Sequence, residues 1–121
     1  MSLEQEFERC KPWIESAIKR SNNTHDIDDV WEGIKAGTFL LWPGKESAAV
    51  TVTQTYPKKK QLHVFLAGGK LEELLDMWDC VEIYAKATGC ASLSISGRKG
   101  WTRVLESRGA KYRCTTVNKE L

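Results

Sequence analysis

Histidine is scarce in this chain, with only His25 and His63, and none of the four cysteines falls in a CxxC pair. A zinc site draws on imidazoles and thiolates brought close in sequence or by the fold, so the spacing argues against a metal centre. Cys10, Cys80, Cys90 and Cys114 are far apart and read as reduced thiols rather than a disulfide framework. No apolar run approaches the ~18 residues of a membrane-crossing helix. The first 20 residues hold Glu4, Glu6 and Glu8 where a secretory leader would hold positive charge, which predicts no export signal. Linkers, low-complexity tracts and internal repeats are also missing.

What is present is an ordinary soluble composition: 121 residues, 41% hydrophobic and 28% charged. That length predicts one domain spanning residues 1–121. The net charge of +2 hides an uneven distribution. Residues 1–36 carry 5 basic and 8 acidic side chains, whereas residues 98–121 carry 7 basic and 2 acidic. The basic set Arg98, Lys99, Arg103, Arg108, Lys111 and Arg113 interleaves with Trp101 and Tyr112. Such a mixture can contact phosphate backbones or an acidic protein.

Leu3, Phe7, Ile14, Ala17 and Ile18 mark one face of a helix over residues 3–20, with Pro12 either kinking it or starting it. Asp26 reads as an N-cap, followed by Ile27, Val30, Trp31 and Ile34 at helical spacing and by Gly37 as the stop. The period then changes. Residues 39–42, 48–56 and 62–66 read as strands, the third nearly all apolar and so central. Lys58-Lys59-Lys60 is a solvated turn tip. Gly68-Gly69 leads into a helix over residues 70–87, whose buried stripe is Leu71, Leu74, Leu75, Trp78, Val81 and Ala85. A strand at 92–96, a helix at 99–107 and a terminal strand at 112–117 complete the chain. The expected order is α-α-β-β-β-α-β-α-β: an α/β (α+β) domain with a mixed, mostly antiparallel sheet flanked by helices.

That order resembles the GNAT superfamily of N-acetyltransferases without its first strand. The likeness covers nearly the whole chain and is strongest from Leu62 onward. There a strand, a glycine turn, a long helix, the strand G-C-A-S-L-S-I and a short helix ending in R-G-A-K-Y follow the family's closing half. More narrowly, I-D-D-V-W-E-G-I-K-A-G-T-F-L-L-W-P (Ile27 to Pro43) and G-R-K-G-W-T-R-V-L (Gly97 to Leu105) resemble small GNAT-like proteins of bacteriophages, some linked to virion assembly.

The resemblance implies a site for acetyl-CoA, whose pyrophosphate the family holds on backbone N–H groups of a glycine-rich turn at a helix start. It puts Gly68, Gly69 and Lys70 at that turn. Leu66 stands where the family has Arg or Gln, Leu71 where it has Gly or Ala, and Glu72 and Glu73 bring negative charge to the first helical turn. The family's proton-donating tyrosine falls near Leu105, and leucine transfers no proton. Only Glu46 and His63 offer a general base. His63, on an alternating strand, reads as a satisfied or solvent-facing side chain more readily than as a cleft residue. We therefore assign no catalytic residue. Trp31 and Trp78 read as core, while Trp13 and Trp42 sit beside prolines. Trp42 joins the basic set as a candidate partner contact, because tryptophan and arginine anchor interfaces.

The expected function is a phage-encoded, catalytically degenerate GNAT-like protein that serves in the virion, or in head or tail assembly within the host cytoplasm. It would bind phage structural proteins, with no membrane partner and no cofactor, as a monomer or oligomer. The alternative is an acetyl-CoA-dependent N-acetyltransferase with an atypical pyrophosphate turn, working by orientation and backbone polarisation. Nucleic-acid binding through the basic segment is a third reading, with a steep salt dependence.

Overall fold

The computed structural model describes residues 2–21, 24–97 and 100–121. α1 (Leu3–Lys19) opens on a capping box in which Ser2 Oγ accepts from the Gln5 N–H and the Gln5 side chain accepts from the Ser2 N–H. It runs through Pro12, so the helix does not begin there. Phe7, Cys10, Ile14 and Ala17 form its buried face, while Leu3, expected on that face, is exposed beside the first turn. α2 (Ile27–Ala36) begins at Asp26, as the sequence predicts, with a second reciprocal box to Asp29, and it ends at Gly37.

β1 (Phe39–Pro43), β2 (Ser47–Thr55) and β3 (Lys60–Gly69) form an antiparallel meander. α3 (Leu71–Ala87) crosses over to β4 (Ser92–Ile95), which pairs parallel with β3. The sheet order is β1-β2-β3-β4. α4 (Gly100–Leu105) and a 3-10 turn (Glu106–Arg108) follow, a shorter helix than the expected 99–107.

Each sheet face carries its own core. On one, Phe7, Ile14, Val30 and Ile34 of α1 and α2 cover Ala48, Val50 and Leu66. On the other, Leu74, Trp78, Val81 and Ala85 of α3, with Leu105, cover Ala49, Leu62 and Val64. β3 keeps both faces apolar by means of a bulge. Val50 lies opposite Leu66, but the next residue, Thr51, lies opposite Val64. Phe65 is therefore extra, and both Phe65 and Leu66 turn towards α1 and α2.

Three further expectations need correction. Gly68 and Gly69 form no loop, because they are the last residues of β3 and lie opposite Ala48 and Ser47. Leu71 is 46% exposed rather than part of the buried stripe, since its turn sits at the sheet's end. Residues 112–117 form no strand. Residues 111–121 are all exposed, so no apolar burial offsets the entropy of ordering them. No described helix is long and apolar enough to cross a membrane.

Candidate functional site

β3 and β4 pair only as far as Val64↔Ile95, with one further bond from the Ser96 N–H to the Val64 carbonyl at 3.3 Å. Beyond it, at the bulge, the strands part. A cavity of about 390 Å³ opens there, between the end of α1, the bulged stretch of β3 and the segment that leaves β4. Arg20, Phe65, Leu66, Ser96 and Trp101 are among the residues that line it. Its volume falls in the ~300–1,000 Å³ range of small-molecule sites.

The second feature is the corner where β3 meets α3. The β1–β2 turn is gripped there from both layers. Arg9 of α1 donates to the Gly44 and Lys45 carbonyls at 2.8 and 3.1 Å. Glu73 of α3 accepts from the Glu46 N–H at 2.8 Å and from Ser47 Oγ at 2.6 Å. The Lys70 N–H donates to the Glu46 carbonyl at 3.1 Å, and Lys70 Nζ pairs with the Glu46 carboxylate. The Ser47 hydroxyl, followed by the Glu46 N–H, holds the Glu73 carboxyl below its ordinary value, and Glu46 raises Lys70. The paired glycines have a packing role at this corner. A Cβ on Gly68 would lie 2.3 Å from the Trp13 carbonyl oxygen, and Gly69 has φ +107° with Glu46 and Ser47 pressed against it.

A four-stranded mixed sheet flanked by helices gives this chain a fold that known structures share. A GNAT family acetyltransferase from Staphylococcus aureus aligns at a TM-score of 0.64 and 9% identity, over 99% of this chain and 95% of its own. The fold is that of the GNAT acetyltransferases. An aminoglycoside acetyltransferase from an uncultured soil metagenomic sample, solved in complex with sisomicin, has the same fold at a TM-score of 0.66 and 10% identity, over 97% of this chain and 89% of its own. A transcriptional regulator from Bacillus halodurans C-125 aligns at 0.75 and 13% identity, over 99% and 96%. These identities carry the fold alone. No family model matches the chain, and no curated protein matches its sequence.

The GNAT fold implies coenzyme A, with pyrophosphate at the start of α3. The residues at that corner do not fit it. One of the backbone donors it would need, the Lys70 N–H, is given to Glu46, and Glu73 holds a carboxylate inside the first helical turn. A dianionic group there meets like charge where the helix dipole alone offers about 0.3–1 kcal/mol. Leu105, near which the resemblance places the family's tyrosine, is 1% exposed and belongs to the α3-side core.

The other sequence candidates are dispersed. Trp42 is half-buried on the sheet, its Nε1 donating to Thr51 Oγ1 at 3.0 Å and its ring edge-on to Tyr84. Arg108 bonds Asp79 at 3.1 Å, and Arg103, Lys111 and Arg113 are exposed. Arg98 and Lys99 lie outside the described residues. Of the described residues in this set, Trp101 alone lines the cavity. Sequence reasoning missed Arg20 and Ser96, because only the bulge and the strand divergence bring them together, and neither has a local signal. Among the described residues, no group of three His, Cys, Asp or Glu side chains could hold a metal ion.

His63 is bonded at both ring nitrogens, Nδ1 to Ser94 Oγ at 2.7 Å and Nε2 to Ser96 Oγ at 3.0 Å. Burial lowers its pKa below the ordinary value. The unfolded chain then binds a proton more readily than the folded one, so stability falls with pH below about 6.5. We expect His63→Gln to flatten the drop in urea midpoint between about pH 7 and pH 5. Glu73 works in the same direction, but its contribution is lost only lower, as pH falls through its depressed pKa. An unchanged slope in the variant would remove His63 as the cause.

Proposed function

We propose that this is a GNAT-fold protein that has given up coenzyme A and works through contacts with other proteins. The carrying observation is the corner at the start of α3, where the Glu46 carbonyl takes the Lys70 N–H and the Glu73 carboxylate, bonded to Glu46 and Ser47, puts negative charge where a pyrophosphate would lie. The buried Leu105 in place of an acid tyrosine supports the same reading. The setting we propose is a bacteriophage virion or its head or tail assembly, supported by the motif likeness over Ile27 to Pro43 and Gly97 to Leu105. Trp42 and the basic C-terminal set are the contacts proposed for that partner.

A second reading, an acetyl-CoA-dependent N-acetyltransferase, is favoured by one observation, the open gap between β3 and β4. Calorimetric titration with acetyl-CoA and with free coenzyme A separates the two. We expect no saturable heat at millimolar ligand. Micromolar affinity for both, about −8 kcal/mol, would overturn our reading and restore the enzyme.

A further inference from the structure

The cavity beyond the end of β4 is one-sided in its chemistry. Arg20 lines it, and no Asp or Glu among the described residues does. Arg20 forms no ion pair among the described residues; its one side-chain bond is from Nη2 to Ser16 Oγ, at 2.9 Å. Ser96 also lines the cavity, at the end of a run of hydrogen bonds along the sheet. The direction of that run through His63 depends on the imidazole tautomer.

Ser92 Oγ donates to Gln61 Oε1 at 3.0 Å, which leaves the Gln61 amide nitrogen to donate to Ser94 Oγ at 2.9 Å. Ser94 Oγ, which accepts from Gln61, has its own hydrogen to give to His63 Nδ1 in one of the two imidazole tautomers. In that tautomer the neutral imidazole carries its proton on Nε2 and donates it to Ser96 Oγ. Ser96 is left with a free O–H at the cavity. In that tautomer every link runs the same way, and such chains strengthen one another. The cavity is thus furnished with a guanidinium fork and a polarised hydroxyl donor, set between the apolar walls of Phe65, Leu66 and Trp101.

We propose that this cavity binds a small carboxylic acid with an aromatic or aliphatic body, its carboxylate held by Arg20 and Ser96. An ammonium ligand would need a carboxylate partner that the lining lacks. A carboxylate accepts both donors and matches the guanidinium fork. The argument uses none of the residues at the start of α3. Its outcome is therefore separable from that of the coenzyme A titration.

Benzoate, benzamide and benzylamine share one ring and differ only in the head group. Titrated into the full chain while Trp101 is followed by indole N–H shifts, benzoate is expected to saturate and to bind about tenfold more tightly than the other two. Arg20→Gln should erase that preference, and Ser96→Ala should weaken benzoate by a few-fold with the fold unchanged by circular dichroism. Equal binding of the three ligands, benzoate binding untouched by Arg20→Gln, or no saturation with benzoate would each overturn the proposal.

Discussion

Gly68→Ala is expected to destabilise the chain by about 1–3 kcal/mol or more, although it adds only one methyl group. The new Cβ would stand 2.3 Å from the Trp13 carbonyl oxygen and 3.2 Å from its carbon. Both are backbone atoms in the middle of α1, so no side chain can rotate away. Either α1 lifts from the sheet or the end of β3 leaves Ala48. Lifting α1 would expose Phe7, Cys10 and Ile14, all buried against the same face. The check is a denaturant melt of ligand-free protein, where the midpoint should fall with the slope preserved. A phosphate-cradling glycine would behave differently, with stability kept and only ligand affinity lost. Unchanged stability in Gly68→Ala would therefore argue for the cradle.

Phe7→Ala should cost about 3–5 kcal/mol, the range for emptying a buried aromatic site. Phe7 is 2% exposed, and its ring stacks on Trp31 with centroids 4.8 Å apart. The contact joins α1 to α2 above Val50 and Leu66, so truncation loses apolar burial, the ring pair and the seal between helices together. Against a total stability of about 5–15 kcal/mol for a domain, that is a large share. Phe7→Leu keeps most of the volume and should cost under about 1.5 kcal/mol. Similar losses in both variants would mean that the site collapses around the smaller side chain.

The helices were legible because their signals are local. Asp26 and Gly37 bound α2 as capping chemistry predicts, and the apolar spacing of Leu74, Trp78, Val81 and Ala85 is the buried face of α3. The meander could be read from β-branched alternation. Features that depend on distant partners could not. Gly68-Gly69 looks like a turn in sequence, and only the approach of α1 and the β1–β2 turn makes it the end of a strand. Tyr112 to Val117 has the composition of a strand but stays exposed. The cavity joins Arg20, Phe65 and Ser96 from three separate parts of the chain, and Arg20 reads locally as one more charge at a helix end.

The extra residue at Phe65 has a consequence for how this chain can diverge. Side chains around the gap can be exchanged one at a time, each altering what the gap prefers. The gap itself rests on a count of residues, two on β3 against one on β2. Losing one residue between Val64 and Leu66 would restore an even ladder, straighten β3 towards β4 and bring the divergence that makes the cavity to an end. Ligand preference can therefore drift by substitution, while the cavity's existence is inherited as a length and lost by deletion.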